Sequence, residues 1–327
     1  MDEMPEFDNR APAVGTVLRA VKRLLPSALG PGRVLRAMDH LERATVLDPT
    51  VELLRDRIRA LPLGSLRDVL HGRWLGHPVH PLLVQLPMGT WLSAAVLDCL
   101  PGQRRAACAL VGVGIGAAAP AALAGWVDWA EQQPRQQRVG LVHAAANVTA
   151  VVLYGGSFAA RTRGRVGLGK ALGFAGLSVV GLGGAIGGHL AYRQASGANH
   201  AEAVPNLVRP GWHDIGSSTD FEVGRPVRRH IDGVPVLVVR ETGDDVHVLA
   251  DSCSHTGGPL SAGSVSDGCV RCPWHGSVFR LADGWNVRGP ATAPQPAFGT
   301  RVVGDRVEAR LRDREPDGPA GAPDQMS

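Results

Sequence analysis

Charged residues are missing from long parts of this chain of 327 residues. No Asp, Glu, Lys or Arg occurs in residues 106–127, 139–160 or 171–192, and residues 81–97 lack them as well. Uncharged apolar runs of roughly 17 to 25 residues have the length of a bilayer-spanning helix. A soluble protein could bury one such helix, but four in succession, joined by short charged connections, indicate a transmembrane bundle.

The spacing of glycines within these stretches also favours a membrane bundle. Glycines four residues apart leave a helix face without side chains, so that lipid-embedded helices pack closely, whereas in water they would weaken a helix. Three pairs have this spacing: Gly112 with Gly116, Gly183 with Gly187, and Gly184 with Gly188.

The amino-terminal region lacks an export signal. Its first residues are acidic, and no uninterrupted apolar core precedes Pro26. Helical periodicity is visible over Val17 to Leu25, Val34 to Leu47 and Val51 to Leu61, with prolines between the segments. We expect a helical region over residues 1–73, with either a solvated basic face or a face bound to anionic lipid.

Cysteine and histidine occur together in two motifs that lie sixteen residues apart: Cys253-Ser254-His255 and Cys272-Pro273-Trp274-His275. These four ligands could hold a zinc ion. The adjacent glycines favour an iron–sulfur cluster instead, because they allow backbone N–H groups to approach its sulfur atoms. The remaining nearby thiol, Cys269, is expected to be an apolar residue of a strand.

The two motifs resemble the ligand set of the Rieske iron–sulfur family, and the resemblance extends over residues 211–312. It implies a [2Fe–2S] cluster with Cys253 and Cys272 on one iron and His255 and His275 on the other, more exposed iron. Residues 289–291 would form a third loop over the cluster. The resemblance implies one-electron transfer.

Two departures from the high-potential members of that family predict a lower reduction potential. Gly258 and Trp274 stand where those members have two disulfide-bonded cysteines, and Phe279 stands where they have a tyrosine. We expect an intermediate-to-low value within the Rieske range of about −150 to +300 mV.

The segments around the motifs have strand character. Val227 to Ile231 and Val234 to Val239 flank an Asp232-Gly233 pair, which is a strong hairpin signal. The predicted fold is therefore multi-domain, with an all-α four-helix transmembrane bundle followed by an all-β antiparallel Rieske domain. The predicted boundaries are 1–73 for the helical region, 74–197 for the bundle, 198–210 for a linker, 211–312 for the Rieske domain and 313–327 for a disordered tail.

A second resemblance supports the topology of the bundle. The segment from His77 to Leu83, followed by Leu86-Pro87-Met88-Gly89-Thr90, resembles the start of a family of four-helix bacterial membrane proteins of unknown function. The resemblance covers residues 74–197, and it implies nothing about chemistry.

Polar residues of the four predicted spans fall at one membrane face: His77, His80, Asp128, His143 and His189. Such residues are costly at membrane depth, so their clustering indicates a site. His80, His143 and His189 are candidate ligands of a haem or hydrogen-bonding partners of a quinone. Capping of helix ends in the headgroup region is the alternative.

Charge divides between the two halves. Residues 211–327 carry 12 Arg and 16 Asp plus Glu, and the preceding residues carry 22 basic and 14 acidic groups. Because the basic half is the membrane half, no nucleic-acid partner is predicted, and membrane lipid accounts for the positive charge. The acidic half predicts redox partner proteins with basic docking surfaces.

We expect a multi-pass protein of the cell membrane. By the positive-inside rule, the basic residues of the short loops would put the Rieske domain outside: Arg104, Arg105, Arg161, Arg163, Arg165 and Lys170. The basic groups before the first span and the missing disulfide favour the cytoplasm instead, and we predict a cytoplasmic Rieske domain.

Histidine is absent after residue 275. A mononuclear iron held by two histidines and a carboxylate cannot follow the cluster motifs, so no catalytic residue is predicted. The expected function is single-electron transfer between a membrane donor, a quinol or haem, and another redox partner. The protein would then be an electron carrier or an oxidoreductase component. A membrane-bound redox sensor without turnover is the alternative.

Overall fold

The computed structural model describes residues 31–242 and 245–312. The chain divides into two compact units, Met1–Thr45 and Val46–Ser327. In the first unit, helix α1 spans Pro31–Glu42 and starts with a proline, whose missing N–H costs nothing at a helix start. The helix predicted from Val17 to Leu25 and the predicted tail lie outside the described residues.

Two short helices precede the apolar segments of the second unit. Helix α2 spans Asp48–Arg59 and helix α3 spans Leu66–His71. Helix α3 ends at Gly72 with a φ of +79°, and a Cβ atom there would lie 2.1 Å from the backbone oxygen of His77. Only glycine fits this tight turn.

Within the described residues, three helices are long and apolar enough to cross a membrane. Helix α6 spans Arg104–Trp129, α7 spans Pro134–Thr162, and α8 spans Val166–Gly188 and continues through a π-helical turn, His189–Arg193. Each extends a charge-free stretch of the sequence by a few residues. The sequence prediction is confirmed to this extent: three of the four predicted spans are helices with the length and apolar composition of a membrane span.

The first of the four predicted spans is interrupted. Helix α4 spans His80–Leu83 and helix α5 spans Gln85–Asp98, with Val84 between them. Pro87 lies in the first turn of α5, and its ring and missing N–H prevent a regular helix from continuing through Val84. Neither piece has the length of a span, so the fourth span remains a prediction.

Glycines of α8 allow close packing against α7. A Cβ atom at Gly183 would lie 2.9 Å from Oδ1 of Asn147, and one at Gly187 would lie 3.1 Å from the ring of His143. This predicted glycine pair therefore lies in a helix contact. The neighbouring pair, Gly184 and Gly188, is less tightly packed. A Cβ atom at either residue would meet only one side-chain atom, at 4.0 Å.

A buried ion pair holds the end of the bundle where α5 and α7 terminate. Arg161 donates to the two carboxylate oxygens of Asp98 at 2.8 and 2.5 Å, and both side chains are 3% exposed. Ser157 accepts a further hydrogen bond from Arg161 at 3.1 Å. Removing one partner of such a pair strongly destabilises the fold, because the other charge remains buried without a counter-ion.

Replacing Asp98 by Ala should destabilise the bundle by about 3–5 kcal/mol, because Arg161 would be left without its counter-ion. The measurement is thermal unfolding of the full chain in detergent. Glu222→Ala, which breaks an exposed pair with Arg225, is the control and should change little. Equal shifts in the two variants would contradict the structural role of the buried pair.

The carboxyl-terminal part is an antiparallel β-domain, as predicted. A six-stranded sheet has the order β1-β10-β9-β4-β3-β2, and a four-stranded sheet has the order β5-β6-β7-β8. The strands are β1 His213–Ser217, β2 Val227–Ile231, β3 Val234–Arg240, β4 Val246–Ala250, β5 Ser264–Ser266, β6 Cys269–Arg271, β7 Val278–Arg280, β8 Asn286–Arg288, β9 Ala297–Val303 and β10 Arg306–Leu311. Asp232 and Gly233 both have positive φ and join β2 to β3, as the hairpin signal predicts.

The larger sheet is buried on both faces. Leu237 and Leu249 pack toward Val270 and Phe279 of the smaller sheet. The opposite face packs against residues of the predicted linker, where α9 spans Val204–Leu207 and Val204 and Val208 are buried. This core leaves the loops at one end of the smaller sheet free to hold a cofactor.

Candidate metal centre

The two motif loops fold by the same backbone pattern. In the first loop, the Gly257 N–H donates to the Cys253 oxygen at 2.7 Å, and the Cys253 N–H donates to the oxygen five residues on at 2.8 Å. In the second loop, Gly276 and Cys272 make the equivalent bonds at 3.1 and 2.8 Å. Gly257 and Gly276 both have positive φ, which explains the glycine at this position of each motif.

The two thiols lie together inside the domain. Cys253 and Cys272 are buried and share a hydrogen bond between their side chains. That hydrogen bond, with the backbone N–H groups of Trp274 and His275, lowers the pKa of Cys272 to about 6 although burial opposes the change. The same hydrogen bond and burial raise the pKa of Cys253. The pair therefore holds one proton tightly and provides one thiolate, the form that binds metals.

The two imidazoles lie side by side. The ring centroids of His255 and His275 are 4.9 Å apart, and the ring planes are nearly perpendicular, at 89°. Burial lowers the pKa of both rings, so both are neutral near pH 7 and can bind a metal. Nδ1 of His255 is buried and has no hydrogen-bond partner, as expected for a ligand atom.

The arrangement fits a binuclear cluster better than a single ion. Within residues 31–242 and 245–312, no three His, Cys, Asp or Glu side chains converge on one point. A structural zinc ion needs four such ligands around it. A [2Fe–2S] cluster needs two protein ligands at each iron, because bridging sulfides supply the others. The two thiols and the two imidazoles form these two pairs.

A third loop covers the two motif loops, as the sequence indicates for residues 289–291. The Ala291 N–H donates to Oγ of the buried Ser277 at 3.1 Å. Gln295 accepts from the Ser254 N–H at 3.0 Å and donates to the oxygens of Ala250 and Ser252. Sequence reasoning missed Gln295, because a single glutamine in a loop has no distinguishing pattern.

For two other residues near the motifs, the structure agrees with the sequence-based predictions only in part. Phe279 is fully buried, so the position that holds a tyrosine in high-potential relatives offers no hydroxyl group here. Cys269 lies on β6 as expected, but it is only partly buried. Its thiol pKa is raised by burial, so it is a protonated and weakly reactive group.

The helical part of the chain contacts the same end of the β-domain. Nη1 of Arg73 donates to the backbone oxygens of Val287 at 2.6 Å and Asn286 at 3.2 Å. Asp68 on α3 accepts from the Gly289 N–H at 3.2 Å. The third loop is therefore held against the residues that precede the bundle.

His71 connects α3 with the bundle. It is 2% exposed and contacts Asp128 of α6 through Nδ1 at 2.8 Å. His71 was not predicted, since a lone histidine in a charged helix carries no recognisable signal.

Two of the three predicted membrane histidines come together. The rings of His80 and His143 are 6.4 Å apart and nearly perpendicular. In each ring Nδ1 contacts a backbone oxygen at 2.8 Å, that of Ala121 or Gly183. Nδ1 must carry the proton in such a bond, so Nε2 of each ring is an acceptor.

The remaining polar residues of that face are placed differently. Nε2 of His143 lies 3.1 Å from the side-chain amide of Asn147, which donates to it. His189 starts the π-helical turn that follows α8. His77 is exposed and contacts the Pro78 oxygen.

Comparison with known proteins supports both domains. Residues 211–299 match the family described as Rieske [2Fe-2S] domain, and residues 76–200 match the family described as predicted membrane protein (DUF2231). Both resemblances inferred from the sequence are confirmed. A Rieske domain implies a [2Fe–2S] cluster, and the four motif side chains suit one.

The similar proteins are redox components. The ferredoxin subunit of anthranilate 1,2-dioxygenase from Burkholderia cepacia is 34% identical over 100 residues, which are 31% of this chain and 92% of that protein. The oxygenase component of 3-ketosteroid-9-alpha-monooxygenase from Rhodococcus rhodochrous is 35% identical over 75 residues, 23% of this chain and only 19% of that protein. The solved ferredoxin of carbazole 1,9a-dioxygenase from Nocardioides aromaticivorans IC177 is 25% identical, covers 31% of this chain and 98% of its own, and has a TM-score of 0.30, too low to support an inference.

Replacing Cys272 by Ala should remove iron and acid-labile sulfide from the purified full chain, because one iron would lose a thiolate. Cys269→Ala is the matched control, three residues away on the same strand and loop, and should retain both. The measurement is iron and sulfide per chain, with the visible spectrum. Retention of a normal cluster in the Cys272 variant would exclude this thiol as a ligand.

Proposed function

Because the chain belongs to the Rieske [2Fe-2S] family through its carboxyl-terminal domain, we propose that it is a membrane-anchored iron–sulfur protein that transfers single electrons. Cys253 and Cys272 would hold one iron, and His255 and His275 the other. The cluster, when bound, accepts and releases one electron at a time. The donor is a membrane component, and the acceptor is a second redox partner.

The observation that carries this proposal is the contact between the candidate centre and the helical part. Arg73 and Asp68 bind the strand and loop next to the motif loops, and His275 lines a cleft together with Arg59 and Glu131. The candidate centre thus lies beside the helical residues that adjoin the bundle. An electron could pass between bundle and cluster through few intervening groups.

Of the two donors that the sequence left open, a hydroquinone fits the bundle better. Nε2 of His143 already accepts a hydrogen bond from Asn147, so a haem would have to displace that amide. Nε2 of His80 can accept the O–H of a hydroquinone, since Nδ1 of the same ring donates to Ala121. Oxidation of a hydroquinone releases two electrons and two protons. One electron at a time would pass to the cluster, and the protons would leave along His80, Asp128 and His71.

The proposed function also includes an arrangement of the helices in the membrane. With α4 and α5 as a fourth span, both ends of the bundle lie at one face, from which the β-domain emerges. Residues 80–98 extend about 28 Å as a helix, close to the roughly 30 Å of a bilayer core. We place this face in the cytoplasm. A reporter fused after Ser327 that is active only outside the cell membrane would reverse the orientation.

The partner class is proposed by similarity. The similar proteins from Burkholderia cepacia and Rhodococcus rhodochrous are a ferredoxin subunit of a dioxygenase and an oxygenase component of a monooxygenase. An oxygenase or reductase component is therefore a suitable second partner for this chain. The oxygenase relatives are far longer than the segment that they share with this chain, so their substrates are not assigned to it.

Replacing His80 or His143 by Ala should slow reduction of the cluster by decyl-hydroquinone at least about tenfold, a loss typical of a missing proton acceptor or positioning group. The full chain would be reconstituted in lipid nanodiscs and reduction followed by bleaching of the visible spectrum. His77→Ala, in the same segment but exposed, is the control.

The variants must keep their iron and sulfide, because the histidines lie outside the cluster loops. Equal reduction rates in all four proteins would contradict a donor site in the bundle. Reduction of the cluster without onward transfer to any added one-electron acceptor would favour the redox-sensor function instead.

A further inference from the structure

The candidate centre has an opening to solvent between the β-domain and the helical part. An open cleft of about 750 Å³ lies beside His275. The second motif loop forms one wall, with Arg271, Trp274 and His275, and Arg59 of α2 and Glu131 form the other. We propose that this cleft, here named the exit cleft, is the docking site of an acidic redox protein that exchanges electrons with the cluster; the inference rests on the proposed function.

The charge of the exit cleft is positive where it faces solvent. Glu131 is bound by Arg59 through two hydrogen bonds at 3.2 and 2.8 Å, and its side chain is only 11% exposed, against 40% for that of Arg59. Arg271 is exposed, and no ion pair joins it to a carboxylate within the described residues. Two guanidinium groups thus face solvent, while the single carboxylate is largely covered.

Arg271 lies directly over the motif loop. A Cβ atom at Gly276, the residue after His275, would lie 3.3 Å from Nη2 of Arg271. A carboxylate that binds Arg271 would therefore be held beside the imidazole of His275. Arginine suits this role, because its planar group binds carboxylates in a bidentate way.

An exposed aromatic residue supplies an apolar contact at the same place. Trp274 is 49% exposed and its ring lies 6.5 Å from that of His275. Tryptophan and arginine are the residues that contribute most to protein interfaces. A small molecule would remain largely in water in so open a polar cleft. A protein surface would cover Trp274 and present several carboxylates together.

The sign of this local charge differs from that of the whole domain. The summed charge of residues 211–327 is negative and predicts a basic partner. Because exposed charges more than about 10 Å apart are largely screened at physiological salt, the groups around His275 decide what docks there. One electron leaves through His275 and is gained by the cofactor of the partner, and no bond is broken.

The test uses two small electron acceptors of opposite charge with the reduced full chain in detergent. Arg271→Glu should slow oxidation by hexacyanoferrate(III) at least about threefold at low ionic strength and accelerate oxidation by hexaammineruthenium(III), because charge steers association. Both effects should vanish in high salt. Arg225→Glu makes the same charge change on an exposed residue outside the cleft and should have little effect.

A second measurement does not depend on electron transfer. Hexacyanochromate(III) is paramagnetic and has the charge and shape of hexacyanoferrate(III), so its binding in the exit cleft should speed the relaxation of the EPR signal of the reduced cluster. Arg271→Glu should weaken this effect at least about threefold and Arg225→Glu should not. Equal behaviour of the two variants in both measurements would overturn the docking site. Absence of any cluster signal would instead refute the proposed function.

Discussion

The candidate centre depends on a backbone turn that the chain makes twice. In each motif loop a cysteine N–H and a glycine N–H close the same pair of hydrogen bonds, and this glycine, four residues after the cysteine, has positive φ. The turn directs the thiol inward and the imidazole outward, so that two loops together present two sulfurs on one side and two rings on the other. Gln295 and Ser277 fix the loops from the third side, and these polar contacts are buried. These hydrogen bonds fix the shape of the loops, and Cys253, Cys272 and Ala291 also belong to the apolar core of the domain.

The second constraint is the contact between this centre and the helical part. Arg73 and Asp68 hold β8 and the third loop by three hydrogen bonds, and Glu131 lines the same cleft as His275. In the proposed function, the centre has a route into the bundle on one side and opens into the exit cleft on the other. A carrier between a membrane donor and an external partner requires this pair of openings. The buried Asp98–Arg161 pair lies at the other end of the bundle, where it stabilises helix packing.

Metal chemistry and turn geometry made part of this structure predictable. Only a few residue types bind iron, and their spacing in the two motifs was sufficient to predict the domain; Asp232-Gly233 likewise predicted its hairpin through positive φ. The unpredicted residues act through contacts between segments far apart in the chain, such as the 57 positions between His71 and Asp128 or the 41 between Ser254 and Gln295. The break at Val84 has a local cause, the proline at position 87. A continuous span was nevertheless predicted, because residues 81–97 contain no charged residue.

The central claim is that two thiolates and two imidazoles hold a [2Fe–2S] cluster that carries one electron. The most direct measurement is pulsed EPR on the full chain, purified in detergent and reduced by dithionite. The unpaired electron should amount to one spin per two iron atoms and should couple to two nitrogen nuclei, those of His255 and His275, with one coupling lost on His275→Cys. A signal without nitrogen coupling, or a protein that contains one zinc ion and no sulfide, would contradict the account.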